Sequence, residues 1–279
     1  MRSRAAGYMA LSALGFSVMA VGVKLAAREL PIGEIVLARA VITLVLSFVL
    51  VRRAGLSPWG TRRGGLVFRG LLGFSGLAFY YLSLVRLPLA EATTLQNLVP
   101  VVTALLAWRL LGERVGWAGA FALLCGVGGV LLVARPFGAA SGDGVGVACA
   151  LAAAVSSSIA YVTVRELSRT EHPLVIVLYF PLVATPLAIP WAAAHSVWPS
   201  AAGWALLGLI GVATQVGQVF LTKGLAIERA GRATAVGYLQ ICFAMIWQLV
   251  VFGDPPSVWT IAGASLIVAG TLAVAGSRR

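Results

Sequence analysis

Gln96, Asn97 and Pro100 are the residues whose types and spacing could do chemistry. They sit in the stretch 87–113, LPLAEATTLQNLVPVVTALLAWRLLGE, which is otherwise apolar. At 1.5 Å per residue of helix, Gln96 falls roughly 12 Å and Pro100 roughly 18 Å beyond Pro88. In a hydrocarbon core of about 30 Å that is close to the midplane. An amide there is costly unless it meets protein, water or a ligand. Pro100 has no backbone N–H, so a carbonyl one turn earlier is freed. Two amides beside a free carbonyl, halfway across a membrane, can hydrogen-bond a polar solute. The alternative is that the same groups only tie helices together around a kink.

Other spans carry matching polar faces. Thr214, Gln215, Gln218 and Thr222 recur at steps of one, three and four, which keeps them on one side of a helix. Tyr80, Tyr81, Tyr161 and Tyr238 add hydroxyls on aromatic rings; the alternative for each is an interface anchor or core packing. The candidate substrate-binding set is therefore Gln96, Asn97, Pro100, Tyr80, Tyr81, Tyr161, Gln215, Gln218 and Tyr238. These groups suit a zwitterion without carrying fixed charge, which points to neutral or aromatic amino acids. A sugar phosphate would require two or more deep Lys or Arg. Arg39 is expected to snorkel to the outer surface, and Glu113 and Asp254 to hold a helix end or a neighbouring amide.

The acidic residues all fall near span ends. Proton-driven carriers keep an intramembrane carboxylate or His as the relay, so a facilitator is expected. Glu34 and Glu91, if they reach a wet vestibule, would instead support a proton-coupled antiporter. An exporter of lipophilic cations is a further alternative, but it wants a deep carboxylate. No catalytic constellation, metal-ligand spacing or Walker sequence is present, so no enzyme, cofactor or metal is expected.

The spans that must position these residues follow from composition. The chain is 60% hydrophobic and 11% charged, against about a quarter charged in soluble domains. Ten spans are expected, near 5–23, 32–51, 66–85, 87–113, 115–134, 147–164, 173–194, 201–227, 230–252 and 257–276. The seventh holds Pro181, Pro186 and Pro190 and could be bent or interfacial. The net charge of +12 is spread between spans, which argues for membrane topology rather than nucleic acid. Sixteen Lys and Arg, Arg69 among them, fall on the side of the two termini and four on the other. Both termini are therefore expected in the cytoplasm of a bacterial inner-membrane protein. Oligomeric state is left open.

The two halves echo each other in order. Ala27-Arg28-Glu29-Leu30 closes the first span and Val164-Arg165-Glu166-Leu167 the sixth. Ala92-Thr93 and Ala233-Thr234 open the fourth and ninth, and Leu111-Gly112-Glu113 and Phe252-Gly253-Asp254 close them. With five spans in each half, the second must lie inverted relative to the first. The expected units are 1–136 and 137–279. With midhelix Pro100 and the closing Leu-Gly-Glu, this pattern resembles the EamA type of the drug/metabolite transporter superfamily over essentially the whole chain. The resemblance implies an all-α membrane protein, ten transmembrane helices as two inverted five-helix repeats around a central cavity. It also implies export or facilitated movement of a small metabolite, often an amino acid, by alternating access. Pro100 has no counterpart in the second half, where the closing acid is Asp254.

Overall fold

A computed structural model describes residues 2–111, 117–134, 143–227 and 239–276. The first half contributes α1 (Arg2–Ala26), α2 (Ile32–Arg53), α3 (Arg63–Arg86), α4 (Leu89–Gln96), α5 (Val99–Leu111) and α6 (Trp117–Ala134). The second contributes α7 (Gly144–Leu167), α8 (Pro173–Ala193), α9 (Ala201–Ile227), α10 (Leu239–Phe252) and α11 (Val258–Gly276). No strand occurs among the described residues. Among the described residues six helices, α1, α2, α3, α7, α8 and α9, are long and apolar enough to cross a membrane. Large apolar side chains such as Leu124 and Val250 face outwards, as a lipid-facing surface requires.

The fourth expected span is divided. α4 stops at Gln96, and Asn97 and Leu98 form a turn before α5 begins. Pro100 is the second residue of α5 and cannot donate to the Gln96 carbonyl. Asn97 closes α4 instead, donating to the Thr93 carbonyl from both its backbone N (3.0 Å) and its Nδ2 (2.8 Å). Ser158 of α7 donates to the Val99 carbonyl at 3.1 Å. The seventh expected span, with its three prolines, is the continuous helix α8. It packs against both α2 and α3. Tyr238 and Glu113 lie outside the described residues.

Helices of one half pack mainly on the other half. α1 lies along α9, and α3 along α7. α2 lies along α8, and α6 along α11. Exchanging the halves turns the first pair into the second and leaves the other two unchanged. Small residues permit these approaches. A Cβ on Gly15 of α1 would lie 2.8 Å from the Ala213 carbonyl oxygen and 2.9 Å from the Gly217 nitrogen of α9. On α6, a Cβ at Gly129 would lie 2.7 Å from the Gly263 oxygen of α11.

At the end of the bundle where α2 passes into α3, Glu171 clamps the connecting loop. Its Oε1 accepts from the Thr61 hydroxyl (2.6 Å), the Thr61 N–H (2.7 Å) and the Arg62 N–H (2.5 Å). Burial raises the pKa of this carboxyl, but these hydrogen bonds outweigh it and hold it below its ordinary value.

Two stability outcomes are expected. Gly15→Val forces backbone apart and lowers the melting temperature in detergent, by the ~1–3 kcal/mol typical of overpacking. Gly7→Ala, with nothing within 4 Å of its Cβ, leaves it unchanged. Because Glu171 has a depressed folded pKa, its contribution is present above the unfolded value of about 4.3 and is lost as pH falls through the folded pKa. Glu171→Gln therefore lowers the melting temperature at neutral pH, and the gap from wild type closes under acid.

Candidate functional site

A cavity lies at mid-height between the two halves, lined from α1, α2, α3, α4, α5, α7, α8, α9 and α10. Its volume is about 120 Å³, room for several waters at roughly 10–15 Å³ each. Its polar lining includes Ser12, Tyr80, Gln96, Asn97, Ser157, Tyr161, Gln218 and Gln240; Phe16, Leu77, Phe180 and Leu221 are among its apolar surfaces. Towards the end away from the N-terminus, Val23, Leu84, Leu87 and Leu95 are packed with almost no exposed surface. There Lys24 Nζ, on α1, donates to the carbonyls of Leu84 (2.9 Å) and Leu87 (2.7 Å) at the end of α3.

Two arginines dominate the cavity electrostatically. Arg39 of α2 and Arg69 of α3 are each only 2% exposed, and both line it. Each follows the buried stripe of its helix. On α2 the stripe includes Ile35, Arg39, Thr43 and Ser47; on α3 it includes Leu66, Arg69, Gly76 and Tyr80. Steps of three, four and seven keep such residues on one helix face. Arg39 Nε donates to Thr214 Oγ1, and Arg69 Nη2 to Gln218 Oε1, each at 3.0 Å. Both guanidiniums stand against the Phe180 ring, at 5.1 Å and 5.0 Å from its centre, and Arg39 also lies 5.7 Å from that of Tyr81. Arg39 Nη1, Arg69 Nε and Arg69 Nη1 are buried without a hydrogen-bond partner.

No carboxylate lines the cavity among the described residues. Burying one ion costs several kcal/mol even after relaxation. A desolvated cation–π contact returns about 2 kcal/mol. Two like charges no more than ~10 Å apart repel by roughly 1.5–2 kcal/mol at an effective dielectric of about 20. One neutral acceptor per guanidinium leaves this charge under-compensated. What the arrangement can do chemically is attract an anion and grip it with unused N–H donors.

The expected site residues divide. Gln96, Asn97, Gln218, Tyr80 and Tyr161 come together on the cavity wall. Gln96 Nε2 donates to Ser157 Oγ at 3.1 Å, while its buried Oε1 has no partner. Tyr80 and Thr93 share a hydroxyl hydrogen bond of 3.2 Å. Gln215 turns away towards α2 and exchanges hydrogen bonds with Ser47, at 2.9 and 3.1 Å. Tyr81 lies behind the wall, its ring under Arg39 and its hydroxyl donating to Met19 Sδ at 3.2 Å. Pro100 is the second residue of α5, just after the break that follows α4.

The expectation that Arg39 snorkels to the outer surface is corrected. Its stem emerges from the protein-facing side of α2, and the residue is only 2% exposed and lines the central cavity. Arg69, grouped by sequence with the charges outside the membrane, is also inside. The requirement stated for a sugar phosphate, two deep basic residues, is therefore met. Glu34 and Glu91 are not on the cavity wall: Glu34 Oε2 accepts from the Val197 N–H (3.1 Å) and Glu91 Oε1 from the Thr260 hydroxyl (3.4 Å). Asp254 accepts from Gln248 Nε2 at 3.2 Å, the neighbouring-amide role expected of it.

A multi-pass helical membrane protein with a polar cavity between two halves and a broken helix beside it has the build of a small-solute transporter. The chain belongs to the EamA-like transporter family, which it matches twice, over residues 3–135 and 144–276. It is 36% identical to the pseudopaline exporter CntI of Pseudomonas aeruginosa, over 96% of this chain and 95% of that protein. It is 30% identical to mouse solute carrier family 35 member G1, over 95% of this chain and 76% of that protein. It is 25% identical to the S-adenosylmethionine uptake transporter of Rickettsia prowazekii, over 76% and 72%. A solved crystal structure shares the fold, with a TM-score of 0.71 over 95% of this chain and 96% of that one, at 22% identity. The family and these named relatives are transporters rather than enzymes.

Gly73 tests the geometry. A Cβ there would lie 2.6 Å from Phe180 Cδ2 and 3.0 Å from Arg69 Nη1. Gly73→Ala is expected to push the ring and guanidinium together into the cavity. Solute binding then weakens at least tenfold; size-exclusion elution stays close to wild type, and the melting temperature falls by the ~1–3 kcal/mol typical of overpacking. Gly64→Ala, which has open space at its Cβ, leaves binding unchanged.

Proposed function

We propose that this protein moves a small amino-acid-type metabolite through the central cavity by alternating access, as a facilitator working in export. The observation that carries the reading is the cavity itself, where Gln96, Asn97 and Gln218 meet Arg39 and Arg69 between the two halves. The two deep arginines shift the reading from a strictly neutral solute to one bearing a carboxylate. The aromatic walls still suit an organic body. Two cations in the cavity disfavour the alternative of lipophilic cations. A lining of two arginines and no carboxylate among the described residues supports facilitation over a proton-coupled antiporter.

The proposed frame is ten spans in two inverted five-helix units, 1–136 and 137–279, with both termini in the cytoplasm of a bacterial inner membrane. The packing of each half on the other, and the charge asymmetry between spans, support it. In that frame the packed layer around Lys24 closes the outer side. One relative is named for export of pseudopaline and another for uptake of S-adenosylmethionine, which supports a small organic solute.

The test is uptake into liposomes holding the purified protein. Labelled glutamate, phenylalanine and alanine are offered beside a lipophilic cation, with and without a pH gradient. Saturable amino-acid entry is expected, insensitive to the gradient. Gln218→Ala removes the hydrogen-bond partner of Arg69, and about tenfold weaker entry is expected for a charged bond worth ~1.5 kcal/mol. Entry that needs the pH gradient contradicts facilitation. Movement of the cation alone contradicts the solute class.

A further inference from the structure

We infer that the cavity is a two-point anion site, in which Arg39 and Arg69 each hold one acidic group of a small organic dicarboxylate. The inference deepens the transport reading and relies on it for movement, while the binding step stands apart from it.

The arginines are almost fully buried, yet the described residues give them no acidic partner. Each keeps unused donors: Nη1 on Arg39, Nε and Nη1 on Arg69. A guanidinium presents its N–H groups as a planar fork that matches the two oxygens of a carboxylate. The spacing is set by α9. Arg39 is tied to Thr214 and Arg69 to Gln218, and these lie four residues apart, roughly 6 Å along a helix. Both cations also stand about 5 Å from the centre of one phenyl ring, so they are no more than ~10 Å apart, within reach of one small solute. A single carboxylate would neutralise one point and leave the other exposed. Two carboxylates joined by a short carbon chain reach both, and Phe180 offers the chain an apolar surface. Gln96 adds a buried, unpartnered Oε1 on the same cavity wall, an acceptor for a hydroxyl or ammonium group on the solute.

The experiment uses the full chain in lipid nanodiscs, in low-salt HEPES buffer free of chloride and of carboxylates. Succinate, propionate and inorganic phosphate are titrated separately, with thermal unfolding as the readout. Succinate is expected to raise the melting temperature and to half-saturate at least tenfold below propionate. Arg39→Gln and Arg69→Gln are each expected to erase that preference, and Arg→Lys to restore part of it. Arg52→Gln, at the exposed end of α2, leaves it intact. The comparison of succinate with propionate on the wild type needs no variant, so a poorly folding mutant does not remove the test. Equal affinity for succinate and propionate overturns the two-point assignment. Tighter binding of phosphate overturns the carboxylate class. No stabilisation by any anion, in protein that still moves labelled amino acid into liposomes, overturns the site and leaves the transport reading standing. Succinate binding in protein that moves no solute upholds the site and overturns the transport reading.

Discussion

The structure is organised around two positive charges that the membrane interior should not tolerate. Arg39 and Arg69 lie inside the bundle with one neutral acceptor each, and both stand against one phenyl ring. Everything around them works to reduce that burden. α8 carries three prolines, yet it runs unbroken and brings Phe180 to both guanidiniums. α9 supplies Thr214 and Gln218 one turn apart. Gly73 has no side chain, and the space so left is where Phe180 and Arg69 meet. The compensation remains incomplete, and that incompleteness is what a solute can use. A fully satisfied pair would be part of the core.

The cavity exists because the halves pack on one another rather than on themselves. α1 with α9 and α3 with α7 form two equivalent walls, and α2 with α8 forms the side from which Arg39 and Phe180 reach in. Backbone-to-backbone approaches, such as Gly15 against Ala213 and Gly217, lock the contacts between α1 and α9. The polar groups stand where the regular packing is interrupted, at the break between α4 and α5. There Pro100 removes a donor, and Asn97 and Ser158 bond to the backbone around it. Interior polarity and a helix break thus occupy one place, as expected where a solute must be exchanged between two sides.

Much of this was legible in sequence. Amides at the midplane are conspicuous in an apolar span, and Gln96, Asn97 and Gln218 all reach the cavity. The break at Pro100 follows from its missing N–H. Other features were not legible, for physical reasons. Gln215 and Gln218 stand three residues apart, but the stripe they share is wide enough that one faces α2 and the other the cavity. Tyr80 and Tyr81 are adjacent, so only one could point to the cavity, and nothing local says which. Arg39 and Arg69 were misplaced because a long basic side chain near a span end is usually free to snorkel. The signal that would have found them is register. Each arginine lies three or four residues from buried positions of its own helix, on the stripe that faces protein.

The central claim is that an acidic solute completes the charge balance of Arg39 and Arg69. The most direct measurement is an anomalous-difference map from crystals of the protein grown with 2-bromosuccinate. A bromine peak in the cavity beside Phe180, present in wild type and absent in Arg69→Gln, is the predicted result. A cavity without bromine, in crystals where the ligand is otherwise at saturating concentration, would contradict it and leave the two arginines as a structural pair.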